Sequence, residues 1–131
     1  MTDAAALARK LQAKPGATVW TWPESDDLPE ALRGAHEVVP GPVTEADVAV
    51  LLTEDRAAVD TVLADHLEEL TDVGAVWIVY AKGNRTDVNR DTLWVQLAEY
   101  GWRAVSQVSW SDTRSALRVR PLREGEVPRT A

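Results

Sequence analysis

The side chains best placed for chemistry in this sequence are marked by where they stand, not by a motif. Three short apolar runs, 17–22, 48–52 and 75–81, each end on polar or aromatic residues. Trp22, Pro23 and Glu24 follow the first, Thr53 and Glu54 the second, and Lys82, with Thr86 and Asp87 a few residues on, the third. If the runs are parallel strands, all of these residues fall at the strand carboxyl ends, where open α/β sheets bind ligands. Lys82 is one of only three lysines and lies within reach of Glu54 or Asp87. It can anchor an anionic ligand or a partner's carboxylate. The plain alternative is a rim salt bridge worth less than about 1 kcal/mol. Thr53, just before Glu54, also suits a helix cap.

Other chemistries lack their parts. The sequence has no cysteine, so disulfides, thiolate nucleophiles and thiolate metal sites are excluded. Its two histidines, His36 and His66, have no spaced ligand partner, which argues against zinc. There is no Gly-x-Ser-x-Gly elbow and no Gly-x-x-x-x-Gly-Lys-Ser phosphate loop. Serine, histidine and aspartate are all present, but without a motif their presence carries no weight.

Phenylalanine is absent and tryptophan occurs six times, so indoles must supply the large aromatic volume. Trp20 and Trp22 share one face of the first run and Trp77 lies inside the third, all positions that suit a core. Trp94, Trp102 and Trp110 fall near the expected sheet edge, where a partly exposed cluster could form an interface with another protein. An edge hairpin carrying Trp110 could also pair with a second copy across a two-fold axis.

Periodicity gives the elements that position these residues. Residues 2–11 read as a short helix that Thr2 can cap, with Leu7 and Leu11 on one face, broken by Lys14-Pro15-Gly16. Residues 17–22 form the first strand, ended by Pro23. A second short helix, capped by Asp26 or Asp27 and carrying Pro29 in its first turn, runs to Leu32 before Gly34. Residues 36–39 form a second strand, stopped by Pro40-Gly41-Pro42. The apolar run through Leu52 suits a central parallel strand covered on both faces. Val59, Val62, Leu63, Leu67 and Leu70 trace one stripe of a helix over 54–70. After the strand at 75–81, Asn89 caps a helix to Tyr100 with Gly101 as a left-handed stop. Strands at 102–110 and 115–121 flank a four-residue polar turn, a hairpin. From Arg123 on, the chain reads as a flexible tail.

The pattern predicts a single α/β domain over 1–122. It has a short Rossmann-like, mostly parallel sheet of order 2-1-3-4-6-5 and an antiparallel hairpin at one edge. The second strand is the weak point. Only seven residues join it to the third, whereas a parallel crossover usually takes about a dozen or more. It must be short or displaced. A chain of 131 residues suits one domain. The net charge of −7 and pI near 4.8 disfavour general nucleic-acid binding. Arg114, Arg118, Arg120 and Arg123 read as a solvated strand face and tail. No apolar run is long enough for a membrane span, and the start lacks a signal-peptide pattern, so a cytoplasmic location is expected.

Three stretches resemble the frame of Rossmann-like, S-adenosylmethionine-dependent methyltransferases. They are Leu11 with Lys14-Pro15-Gly16-Ala17 before the first strand, Ala46 to Leu52, and Gly74-Ala75-Val76-Trp77-Ile78. The closing Gly101 to Val105 and the hairpin from Trp110 to Val119 resemble their final antiparallel pair. Over residues 7–121 the chain also resembles a small bacterial domain-of-unknown-function family with a shortened form of that fold. The resemblance implies an adenosyl-binding glycine loop after the first strand, but the sequence there is Trp22-Pro23-Glu24-Ser25-Asp26-Asp27. It also implies an acidic residue at the end of the second strand, where Val39-Pro40-Gly41-Pro42 stands instead. The expectation is therefore a fold without its usual cofactor, serving as a non-catalytic interaction or regulatory domain. One alternative is a small-ligand binder or enzyme using the strand-end crevice, with Lys82 and Glu54 central. Another is an atypical S-adenosylmethionine-dependent methyltransferase.

Overall fold

The computed structural model describes residues 4–24, 27–33, 38–83, 86–123 and 125–126. The expected Thr2 and Asp26 caps, Gly34, His36 and the last tail residues, 127–131, lie outside these. Among them run α1 (Ala4–Lys10), β1 (Thr18–Trp22), β2 (Val39–Pro40), β3 (Val48–Leu52), α2 (Arg56–Thr71), β4 (Ala75–Ala81), α3 (Arg90–Glu99), β5 (Trp102–Ser109) and β6 (Arg114–Pro121). The six strands form one sheet in the order β2-β1-β3-β4-β6-β5. β2, β1, β3 and β4 are parallel, and β6 runs antiparallel to both β4 and β5. This is the expected Rossmann-like arrangement.

Strand alternation sends side chains to two faces, and each face has its own core. On one, Trp20, Ala49, Leu51, Val76 and Ile78 pack under Val59, Val62, Leu63 and Leu70 of α2 and Leu93 and Leu97 of α3. On the other, Val19, Val48, Val50, Trp77 and Val79 pack under Leu7 and Ala8 of α1 together with Leu11 and Leu32. Trp77 is buried, and its indole Nε1 donates to the Leu11 carbonyl at 3.0 Å, which fastens the end of α1 to the sheet. Between α2 and α3, the buried Gln96 donates to Asp60 Oδ1 at 2.7 Å and to the Arg56 carbonyl at 3.0 Å, locking the two helices in register.

Two expected elements are smaller than the sequence suggests. The second helix is only a 3₁₀ turn, Glu30–Leu32, preceded by Pro29 at φ −54° and ψ +148°. Extended backbone at Pro29 leaves room for one turn and no more. β2 has only two residues, and Pro40, expected to stop the strand, is one of them. This resolves the short crossover. Pro40 lies level with Val19 of β1, and so does Val48, the first residue of β3. The chain needs no lengthwise return. It steps sideways across β1, about two strand spacings or roughly 10 Å, which seven residues span easily. Asp47 secures the step: its amide donates to the Thr18 carbonyl at 2.8 Å and its Oδ2 accepts from the Thr18 amide at 2.9 Å.

α3 opens with the expected Asn89 cap, paired with Thr92 in a reciprocal capping box, and Gly101 follows it at φ +75°. Beyond β6 the chain does not fray at once. Glu126 accepts from Arg103 Nη1 and from both terminal nitrogens of Arg120, each contact at 2.8 Å, and from the Arg123 amide at 2.9 Å. The Arg120 guanidinium, then the Arg123 amide and Arg103, hold the Glu126 carboxyl far below its ordinary value of 4.5. A depressed carboxyl pKa stabilises the fold above the unfolded value, and that contribution fades as pH falls below about 4.5. Glu126→Gln should lower the melting temperature at pH 7. It should also flatten the loss of stability on acidification, as followed by circular dichroism melts across pH 3–7.

Candidate functional site

The carboxyl end of β3 is fixed by one buried side chain. Thr53 donates to the Val79 carbonyl twice, from its amide at 3.0 Å and from Oγ1 at 2.9 Å. It therefore neither caps α2 nor faces a ligand, as the sequence suggested it could. Its hydroxyl is spent on the neighbouring strand, and its side chain is fully buried. The cap is Asp55, whose Oδ1 accepts from the Ala58 amide at 2.8 Å, so α2 begins at Arg56 and not near Glu54. Asp87 reaches across from the loop after β4 and accepts from the Arg56 amide at 2.8 Å. Two carboxylates thus serve the free amides and positive pole of the first turn of α2.

With Thr53 turned inward, Glu54 is displayed on the rim of an open crevice of about 980 Å³ at the carboxyl ends of β1 and β3. Its other walls come from the start of α1, the 3₁₀ turn and the hairpin. Two indoles, Trp22 and Trp110, supply apolar surface. Glu30, Glu54 and Asp55 bring negative charge, and Arg33 and Arg114 bring positive charge. Trp22 is half-buried and forms part of the wall. The indole does not plug the cavity, because the edge of Trp22 packs back onto the core that holds Trp20. Next to it lies a smaller hollow of about 480 Å³ bordered by Glu54, Asp55, Ala81, Thr86, Asp87 and Arg114. The side chains of Glu54 and Arg114 make no hydrogen bond or ion pair with another described residue.

Of the residues picked from sequence, Trp22 and Glu54 share the main crevice, and Thr86 and Asp87 the hollow beside it. Glu24 is exposed and borders neither. Lys82 turns away from Glu54 and Asp87: its Nζ donates to Ser109 Oγ at 2.9 Å, on the hairpin side. Sequence reasoning missed Arg114, Arg33 and Asp55. Arg114 had a usable signal. It opens a strand antiparallel to β4 and pairs with Ala81, the last residue of β4, so the ladder delivers it to the ligand-binding end.

The three edge tryptophans do not form an exposed cluster. Trp102 is 2% exposed and Trp110 5% exposed. Trp102 points to the inner face of β5 and joins the core that includes Leu93 and Leu97 of α3, while Trp110 turns at the strand end into the opposite core and the crevice wall. Trp94 is partly buried against the α3-side core, with the Arg90 guanidinium 5.3 Å from its ring centroid. His66 also has a structural setting, edge-on to Trp20 at 4.8 Å with Nδ1 3.0 Å from Glu69 Oε1. Among the described residues no three potential ligands gather to hold a metal ion, and no helix is long and apolar enough to cross a membrane.

No protein-family model matches the chain, and no curated protein matches it. Solved structures do. Streptococcus pneumoniae Sp1610, a candidate tRNA (m1A22) methyltransferase, in complex with S-adenosyl-L-methionine, superposes with a TM-score of 0.52 at 13% identity, over 99% of this chain and 66% of that one. The Bacillus subtilis m1A22 tRNA methyltransferase TrmK gives 0.54 at 11% identity, over 92% of this chain and 66% of that one. A Streptococcus agalactiae protein of the NAD-binding Rossmann superfamily gives 0.54 at 10% identity. What the chain shares with them is the Rossmann-like α/β fold, in a short form like that seen in methyltransferases. The chain spans just under two thirds of the length of the first two proteins.

This methyltransferase-like fold corrects the expectation of a non-catalytic interaction domain. Two of the similar structures are a tRNA (m1A22) methyltransferase and a candidate one, the latter in complex with S-adenosyl-L-methionine, and a crevice stands open at the strand carboxyl ends of this chain. The residues present test the fit of that cofactor. The turn after β1 still offers no glycine, and Pro23 has no amide hydrogen to donate. The crevice is at the upper end of usual ligand-pocket volumes, roughly 300–1,000 Å³, and carries aromatic faces with both signs of charge. Without a backbone cradle, an adenosyl amino acid would have to be held there by side chains.

Two substitutions separate packing from site. Thr53→Val removes a buried hydroxyl at nearly constant volume and should cost about 1 kcal/mol in urea unfolding. Trp102→Ala should cost about 3–5 kcal/mol as a core truncation and leave the oligomeric state unchanged in light scattering.

Proposed function

We propose that the chain is an atypical S-adenosylmethionine-binding domain of methyltransferase type, holding its cofactor in the crevice between Trp22 and Trp110. The observation that carries this reading is the juxtaposition, on one open cavity at the strand carboxyl ends, of indole surface from Trp22 and Trp110 with the Glu54 carboxylate and Arg114 guanidinium, neither of which pairs with another described residue. A nucleoside amino acid needs such a set. The half-buried Trp22 indole, with the edge of the nearly buried Trp110 beside it, offers apolar surface for a purine. A carboxylate suits the ammonium and sulfonium charges, and a guanidinium suits the α-carboxylate. Arg33, at the other end of the wall, is partly engaged, its Nε donating to the Leu28 carbonyl at 3.3 Å. Bound there, the cofactor would supply an electrophilic methyl group, and Glu54 would hold negative charge beside it.

Likeness to the fold of known methyltransferases supports the same reading. A cytoplasmic location goes with it, since a cysteine-free chain suits a reducing compartment.

Thermal shift tests the proposal. At about 100 times its dissociation constant a ligand adds about 2.7 kcal/mol. That should raise the melting temperature by roughly 10 °C at about 2.1 cal/mol/K per residue. S-adenosylmethionine and S-adenosylhomocysteine should both stabilise the protein, the former losing affinity about tenfold or more in Glu54→Gln and in Arg114→Ala. No shift with either compound at about 5 mM would overturn the reading.

A further inference from the structure

Beyond the crevice, β4 ends at a second polar cavity of about 460 Å³, enclosed by the start of α3 and the inner side of the β5–β6 hairpin. It shares no lining residue with the main crevice. Two cations border it, Lys82 and Arg90. Lys82 spends one donor on a neutral group, Ser109 Oγ, and makes no ion pair with a described residue. Arg90 lies across the ring of Trp94, 5.3 Å from its centroid, which restrains the guanidinium sideways without neutralising it. The single acid on the wall is Asp91, 3.9 Å from Arg90 Nε, with both side chains more than half exposed. That spacing gives weak, screened compensation.

The floor of the cavity is also donor-rich. Tyr80 is 4% exposed and lines it together with Gln107 and Ser115. Burial pushes the Tyr80 phenol above its ordinary value, so the hydroxyl keeps its proton at neutral pH and can donate. An ammonium, a guanidinium and a phenolic hydroxyl therefore border one concave surface, on a chain whose net charge is −7. Lys82 has no carboxylate partner among the described residues and Arg90 has only the loose, half-exposed contact with Asp91, so positive charge at this cavity is left for an external anion to meet.

We propose that this cavity is a separate oxyanion-binding site, in which Lys82 and Arg90 receive the phosphate or carboxylate group of a small molecule. A guanidinium and an ammonium supply charge-assisted hydrogen bonds to such oxygens, and the phenol adds a neutral donor. The site stands apart from the cofactor reading. An intermediate hollow, which shares Ala81 with one cavity and Glu54, Asp55 and Arg114 with the other, joins the two, so molecules in both could lie close together.

The test is titration of the full chain with inorganic phosphate and, in parallel, acetate, followed by amide chemical shifts at matched sodium chloride ionic strength. At least one of the two anions should saturate, with the largest shifts at residues 80–83, 89–91 and 115. Lys82→Gln and Arg90→Gln are partly or fully exposed positions that should fold normally by circular dichroism. Each should weaken that binding about tenfold or more. Arg114→Ala should leave it unchanged, although the same variant weakens S-adenosylmethionine. Phosphate as the tighter ligand would point to a phosphorylated molecule, and acetate to a carboxylate. Either outcome supports the site if both variants lose it. Undiminished affinity in either variant, or no saturation by either anion at about 50 mM, would overturn it. S-adenosylmethionine affinity in Lys82→Gln should stay at the wild-type value, so failure here and failure of the cofactor reading remain distinct.

Discussion

Thr53 holds two donors to a single carbonyl, and the functional end of the sheet depends on that pairing. Its amide and hydroxyl both reach Val79, so β3 is clamped against β4 one residue past its last ladder position. The clamp turns the chain sharply enough that Glu54 projects over the crevice and Asp55 falls at the cap of α2. Asp87 then closes the same helix start from the far side. A buried hydroxyl without a partner would cost far more than it contributes when satisfied, so the site carries a strong penalty against slippage. Thr53 thus acts through the residues it positions and never meets solvent.

The sheet itself was legible from the pattern of apolar runs. Long continuous runs such as 75–81 can only be strands covered on both faces, and the stripe of Val59, Val62, Leu63 and Leu70 can only be the inner side of a helix. The smaller elements were less legible. Pro29 and Pro40 were both read through their local preferences, one as a helix opener and one as a strand stop. Tertiary pairing decided otherwise: Pro40 sits opposite Val19 at a sheet edge, where a missing amide hydrogen is tolerated. The crossover between β2 and β3 looked too short because strand length was assumed. It is comfortable once both strands are seen to meet β1 at the same level.

At the site, sequence order identified which loops converge but not which side chains within them point inward. Lys82 and Glu54 follow adjacent strands and still face different cavities, because a single-residue change of position along a strand end reverses direction. The indole at Trp22 serves both places that the sequence offered it. It shares the Trp20 face and packs against that core, and it also lines the crevice. The edge tryptophans show the reverse case. Trp102 stands on an outer strand yet packs inward, because the outermost strand of this sheet still has one face under α3.

Arg114 carries a further consequence. Its place is set by the rung it shares with Ala81 and by its carbonyl, which accepts from the Trp110 and Ser111 amides at 3.1 Å, while Asp112 and Thr113 close the turn. The tip of the turn, Asp112 and Thr113, can change composition over evolutionary time without moving the guanidinium from the mouth of the crevice. The protein thereby keeps a fixed charge at the centre of a rim whose outline is free to diversify.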